Sequence, residues 1–358
     1  MESIFKPDFD QCLDRVEAWW ARQIIDRPPV SLSVHGSKKP RPVPAHHSDI
    51  RQRWLDVEYN LQRAEANIES TVYLAESFPR FMPNLGPEVC ATTLGCDLKF
   101  AENTSWSVPC ATDIRHVLSK QPDLDTTYWN IIRRMTELSA QRGGGKWITG
   151  VTDLHTNADL LASLRDPENL ALDYADDLEG VQLACRHVTP WFSLYFDDLY
   201  RRAGASSLPC STWGIALSRG RCYYVSCDFI CMISPAMFAV TVLPAIAWEC
   251  DRLEHSIFHL DGPGALKHLD ALLALPRLDA IQWTYGAGQG PAAKWIEVYQ
   301  RIQRAGKGME VHIASLDDAR TIMENLRPEG VWMSLGSGMD MDSAQAFLRD
   351  VERWARKH

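Results

Sequence analysis

The chain is predicted to be an α/β protein, an eight-stranded (β/α)8 barrel of the TIM-barrel type with an N-terminal helical extension. Three observations predict this. Short β-rich runs each lead into a helical pattern, the alternation expected of parallel βα units. Eight such runs can be read along the chain. A length of 358 residues suits one large barrel, since barrels routinely exceed the usual domain size. A doubly wound sheet shows the same alternation, but no G-x-G-x-x-G follows any strand, so its dinucleotide-binding version lacks support. Residues 1–358 are therefore taken as a single domain, with 1–27 as the helical extension.

A helix over 8–25 precedes the first run, "PPVSLSVHG" (28–36). The basic, Pro-rich "GSKKPRPVPAHH" that follows is expected to be a lid or a surface strap. A helical stretch over 49–77 leads to the irregular "PRFMPNLGPEVCATTLGC", and "DLKFAENTSWSVP" supplies a weak second strand. The third run, "KWITGVTDLH" (146–155), leads into a helix that Thr156 or Asn157 could cap. The fourth, "RCYYVSCDFICMIS", is entered through "TWGIAL" and left through "SPAMFAVTVLPAIAWECDRL", with Ser234 as N-cap and Pro235 at the first helical position. The last four are "SIFHLDG", "AIQWTYGAG", "MEVHIAS" and "GVWMSLG", separated by helices at 262–274, 291–305 and 315–325 and followed by one at 341–357.

Apolar residues at 46% and charged residues at 23% match soluble globular proteins, so the chain can bury a sizeable core. A net charge of -9 argues against nucleic acid and anionic membranes as partners and leaves a small-molecule substrate. The start, "MESIFKPDFDQCLDRVEAWW", has acidic residues where a secretory leader needs a basic and then an apolar segment, so a cytoplasmic location is expected. The longest apolar stretch is broken by Ser234, Pro235 and Pro244, as befits a buried helix rather than a membrane span. Ten scattered cysteines without a CxxC pair suggest reduced thiols.

Barrel active sites lie at the carboxyl ends of the strands. That filter selects His35, Trp106, Asp153 with His155, Cys227 with Asp228, His259 with Asp261, Trp283 with Tyr285, His312, and Ser334. Residues i and i+2 on a strand point the same way, so the pairs Asp153/His155 and His259/Asp261 could each move a proton or hold a divalent cation. Each Asp could instead cap the next helix and each His fill a polar gap. Asp228 sits in an apolar segment and needs a partner or a cavity. The candidate catalytic residues are thus His259, Asp261, Asp228, Asp153 and His155, with His259 and Asp261 as metal ligands. His35, Trp106, Trp283, Tyr285 and Ser334 are the candidates for substrate binding. His268 and Asp270 are assigned to surface or packing duty.

"WWARQIIDRPPVSLSV", "PNLGPEVCATTLGCDLKF", "SCDFICMISPAMFAVTVLPAI" and "FHLDGPGALKHLDALLALPRLDAIQWTYGAGQGP" resemble the uroporphyrinogen decarboxylase superfamily, in particular its uroporphyrinogen decarboxylase-like bacterial branch. The resemblance covers nearly the whole chain and implies a (β/α) barrel. The family includes corrinoid methyltransferases, so the resemblance implies a methyltransferase-type reaction, with a corrinoid or folate methyl carrier and with a corrinoid protein or a second copy as candidate partners. The family's alternatives are a cofactor-free decarboxylase or lyase of a small carboxylated substrate; the paired carboxylates alone also allow a carbohydrate-active hydrolase. The Arg-rich "RQAGRY"-type loop of true uroporphyrinogen decarboxylases is replaced by "VHGSKKPRP", with Lys38, Lys39 and Arg41 as its basic residues. The methyltransferases' His-x-Cys-Gly zinc motif is matched by His259, while Asp261 stands in place of the Cys and no Cys occurs beyond Cys250. A His/Asp site favours a harder metal or a water-activating role over thiol activation, although zinc remains a candidate.

Overall fold

The computed structural model describes residues 5–35, 42–336 and 339–357, without the side chain of His35. Lys38, Lys39 and Arg41 of the expected strap lie outside the described residues. The strands are β1 (Val30–His35), β2 (Thr71–Ala75), β3 (Arg80–Phe81), β4 (Asp97–Phe100), β5 (Ser105–Val108), β6 (Ile148–Thr149), β7 (Cys210–Ser211), β8 (Leu217–Ser218), β9 (Cys222–Ser226), β10 (His255–Asp261), β11 (Ala280–Thr284), β12 (Gly308–Ile313) and β13 (Val331–Leu335).

Six of these pair in parallel in the order β9-β10-β11-β12-β13-β1, and β2 adds antiparallel to β1. β3 and β6 form a separate parallel pair, and Val151 N donates to Ser211 O at 2.9 Å to join the exit of β6 to β7. The architecture is α/β, with a mostly parallel sheet wrapped by helices. Regular pairing does not run round as one closed eight-stranded ladder among the described residues. Strands β9, β11 and β12 are buried almost throughout, the pattern of parallel strands covered on both faces.

Two expected elements differ. "DLKFAENTSWSVP" is an antiparallel hairpin, β4–β5, outside the main sheet. Its alternation is the reason: Leu98, Ser105 and Ser107 are buried while Lys99 and Trp106 face solvent, which suits a half-exposed hairpin and not an inner parallel strand. Arg80–Phe81, and not this segment, is the strand that pairs in parallel with β6. The helix expected over 49–77 breaks into Ile50–Leu55 and Val57–Ser70, capped by the side chains of Asp49 and Asp56, and then gives way to β2. Thr71, Val72 and Tyr73 are strand formers, and Thr71 Oγ1 ends the helix by donating to Asn67 O at 2.7 Å. Ser234 caps the helix Pro235–Val240 as expected, accepting from Met237 N at 3.2 Å.

The extension forms the floor of the sheet. Its helix, Phe9–Trp20, buries Phe9, Cys12, Leu13, Val16, Trp19 and Trp20 at helical spacing. Trp19 Nε1 donates to Gly330 O at 2.8 Å and Trp20 Nε1 to Leu217 O at 3.0 Å. Trp20 stacks on His255 at the foot of β10, with ring centroids 4.5 Å apart. Gly308 makes room for this, since a Cβ there would lie 3.0 Å from the Trp19 ring. Among the described residues no helix is long and apolar enough to cross a membrane.

Candidate metal and acid–base centre

Strand parity decides which side chains meet at the other end. On β10, His259 and Asp261 point to the inner face, and His259 lies in register with Gln282 on β11 and Ser226 on β9. His259 Nδ1 forms a short hydrogen bond with Gln282 Oε1. Donation from Nδ1–H to that carbonyl oxygen leaves Nε2 as the free lone pair, the usual way a second group readies an imidazole for a metal.

Beyond β9 the chain turns into a short 3-10 helix that begins at Asp228. Asp159 holds that turn, accepting from Asp228 N and Phe229 N, each at 2.9 Å. Asp159 is itself positioned by the start of the helix Asn157–Arg165, where Asn157 adopts φ 50° and donates from Nδ2 to Ser226 O at 2.9 Å. Thr156, at the N-cap, makes no capping hydrogen bond with its side chain, whereas Asn157 Oδ1 accepts from Asp159 N at 3.5 Å. Both side chains also donate to the buried Glu249, whose Oε1 accepts from Thr156 Oγ1 at 2.7 Å and from Asn157 Nδ2 at 3.3 Å.

Two donor sets result, and Asp228 belongs to both. Asp228, His259 and Asp261 offer ligand atoms within 4.8 Å of one another, and so do His155, Asp159 and Asp228. His155 Nε2 also lies 4.0 Å from Asp153 Oδ2. The fold thus brings together Asp153, His155, Asp228, His259 and Asp261, five residues selected from three separate strand ends. Asp159 joins them without having been selected. Its only signal in the sequence is an acidic residue in a helix's first turn, which is common.

Electrostatics follows from the crowding. Burial, then mutual repulsion among carboxylates, raises Asp228 and Asp261 above the usual carboxylate range, with His259 opposing in part. Asp153 is raised mainly by burial. At His155 burial acts to lower the value, but Asp159, Asp153 and Asp228 together outweigh it and the net shift is upward. Such carboxylates cannot all be ionised at little cost unless a cation or shared protons intervene. Buried polar atoms without a hydrogen-bond partner include Asp153 Oδ1 and Ser226 Oγ beside the cluster, and Trp213 Nε1 and Glu310 Oε1 next to it. Two carboxylates and an imidazole form an oxygen and nitrogen donor set suited to a borderline or hard divalent cation. No thiol belongs to either set: Cys227 Sγ turns to Asp159 Oδ1 at 3.5 Å.

The other selected residues lie elsewhere. Trp283 alternates with Gln282, so it faces the opposite side of β11, wholly buried and edge-on to Trp295 at 5.2 Å. Tyr285 donates its hydroxyl to His312 O at 3.3 Å, and Ser334 Oγ lies 2.7 Å from His312 Nδ1. Trp106 is 44% exposed on β5 in a shallow cleft with Glu88 and Lys99. For His35 only the backbone is described, at the end of β1. His268 is buried, its Nε2 2.9 Å from Ile230 O, and Asp270 pairs at the surface with Arg301 at 2.6 Å.

The aromatic ring beside His259 is one that sequence reasoning missed, Trp213, at 5.1 Å and nearly perpendicular. Trp213 also packs on Tyr224 at 4.8 Å, and Gly214 permits this because a Cβ there would fall 2.3 Å from the Tyr224 ring. Tyr224 in turn donates its hydroxyl to Glu310 Oε2 at 2.6 Å.

No known family profile matches the chain, and no curated protein matches it. Among solved structures it is similar to a methyltransferase from Methanosarcina mazei, with a TM-score of 0.58 at 9% identity, covering 96% of this chain and 98% of that one. At that identity the likeness shows the fold alone, of an α/β barrel type.

Proposed function

We propose that the chain is an enzyme of the uroporphyrinogen decarboxylase-like superfamily, with a (β/α)8 barrel in which the β4–β5 hairpin is an insertion, that acts on a small polar substrate with a divalent cation held by Asp228, His259 and Asp261. The observation that carries this reading is the meeting of those three side chains from two strand ends, with the imidazole tautomer set by Gln282. A bound cation would supply Lewis-acid polarisation of a substrate heteroatom. His155 and Asp153, which share their proton affinity across 4.0 Å, take up or return the substrate's proton. Trp213 and Tyr224 wall the inner side and restrict water.

Methyl transfer is the reaction this arrangement fits first. A corrinoid or folate carrier would supply the methyl group to a substrate heteroatom and leave as the demethylated carrier, while the His155/Asp153 pair would take up the proton which that heteroatom loses. The absence of a thiolate from the donor sets favours an oxygen or nitrogen acceptor over a thiol. Decarboxylation is the second reading, supported by carboxyl groups whose proton affinity burial raises beside the cluster, where one could return a proton to a carbanion. The hydrolytic reading loses Trp283 from its expected aromatic wall, because that ring faces away from the cluster and packs on Trp295.

Metal analysis tests this. Zinc or manganese titrated calorimetrically into the chelator-treated protein is expected to bind at one site per chain, and His259→Ala and Asp228→Asn should each abolish it. Failure of wild-type protein to bind either ion, with the fold intact by circular dichroism, would overturn the metal-assisted reading.

A further inference from the structure

A second hollow, of about 250 Å³, opens on the same face of the sheet as the cluster. Ser31 and Ser33 of β1, Tyr73 of β2, Ile215 and Arg80 are among its lining residues. Its placement follows from register: Trp332 lies opposite Glu310, Glu310 opposite Gln282 and Gln282 opposite His259, and Trp332 Nε1 donates to Ser31 Oγ at 3.0 Å.

Arg80 is the anomaly in this hollow. Other enclosed arginines meet carboxylates: Arg27 and Arg15 bind Glu76, Arg165 binds Asp173 at 2.7 Å, and Arg133 binds Asp198 at 2.6 Å. Arg80 has one hydrogen bond among the described residues, Nη1 to Thr212 O at 2.9 Å, and no ion pair. Glu76 also lines the hollow, but its oxygens are already taken by Arg27 at 2.6 and 3.0 Å, Arg15 at 3.3 Å and Val30 N at 2.8 Å. Glu310 acts on Arg80 only through space, its Oε2 being engaged by Tyr224. Burial pulls the guanidinium below its ordinary value. A partly buried cation with no carboxylate bonded to it is costly to hold, and Arg80 is one of the residues that line the hollow.

We propose that this hollow seats the carboxylate of the substrate, with Arg80 as the residue that selects a small monocarboxylic acid. A carboxylate matches the guanidinium fork in two parallel hydrogen bonds. The phenol of Tyr73, pushed up to about 12, stays protonated as a further donor. The volume lies below that of drug-sized pockets, which start near about 300 Å³, so the acid is small. Glu310 nearby disfavours a dianion such as phosphate. The link to the cluster is direct in the chain: Thr212, which accepts from Arg80, precedes Trp213, whose ring packs on His259. The inference rests on the cluster being the reacting centre and adds the class of molecule that reaches it.

Propionate, propionamide and inorganic phosphate, each titrated calorimetrically into the full chain, test this alongside zinc. Propionate is expected to bind, propionamide not to, and phosphate more weakly. Arg80→Gln should weaken propionate at least about tenfold and Arg80→Lys less, with zinc affinity unchanged in both. Should Arg80→Gln not fold, phenylglyoxal labelling of wild-type protein, mapped by mass spectrometry, reads the same point, because propionate should protect Arg80. Equal binding of propionate to wild type and Arg80→Gln, lack of both binding and protection at tens of millimolar, or tighter binding of phosphate overturns the proposal. Loss of zinc binding with propionate binding intact would instead remove the metal reading and leave this one standing.

Discussion

The two ends of β10 carry histidines four residues apart on one face, in opposite surroundings. At the foot, His255 lies flat on Trp20 and 3.6 Å from Asp279. Elsewhere in the floor, at the start of β1, Glu76 is wholly buried and meets two guanidinium groups and a backbone N–H. At the mouth, His259 stands among Asp228, Asp261 and Asp153, whose charges repel one another. Opposite charges are matched where the sheet needs holding together. Like charges are gathered where a ligand is to be taken up, and the cost is relieved only when it arrives.

The largest effect should come from breaking the foot. Glu76→Gln leaves Arg15 and Arg27 buried without their carboxylate, and unfolding in urea should show a loss of about 3–5 kcal/mol. Zinc affinity of the folded protein should not change. A loss under about 1 kcal/mol would mean that the network is not what holds the floor.

Next in size is the pH response of the mouth. Asp153, Asp228 and Asp261 are raised, and burial raises Glu249 to about 8. A raised acid favours the folded state in its protonated form, so its contribution is fully present below the unfolded value and is lost as pH rises through the folded one. Metal-free protein should therefore lose stability with rising pH, with the last step near 8 from Glu249. Glu249→Gln should remove that step, on the order of a few kcal/mol, in urea unfolding across a pH series. Zinc binding should run the other way and strengthen with pH, since it displaces these protons. Metal-free stability that stays level from about pH 5 to 9 would count against the crowded-carboxylate picture.

The smallest expected change sharpens the role of one amide. Gln282→Leu frees the His259 ring and removes its tautomer control, so zinc affinity should fall about 10- to 100-fold, or about 1.4–2.7 kcal/mol. Unchanged affinity by calorimetry would show that Gln282 only fills space.

How much of this the sequence disclosed depends on whether the signal was local. Parallel strands announce themselves as apolar runs, and β9 to β13 fall where those runs lie. The i and i+2 rule placed His259 and Asp261 on one face, and strand-end position singled out Asp153, His155 and Asp228. The same parity rule, applied to Gln282, would have turned Trp283 away from the centre. Arg80, Asp159 and Trp213 were not legible. Arg80 acquires its place from Thr212, Asp159 from the turn at Asp228 and Trp213 in part from His259, distant partners reached through a backbone carbonyl, a capped turn or a ring contact that no spacing encodes. Thr71–Ala75 was hidden by the helix before it, whose pattern ran on into strand-forming residues.

The floor built by the extension has a consequence for how the chain is made. Trp19 is joined to Gly330, 311 residues later, and Trp20 to Leu217. The first helix emerges from synthesis long before the strand feet it must cover exist. The Trp20 indole waits for Leu217 and His255 and the Trp19 indole for Gly330, just before β13, so contacts of this sequence separation make for slow, late completion. Residues 9–20 are therefore made before the sheet they cover and are among the last to be locked in place, and the nascent chain carries an exposed apolar helix until that sheet exists.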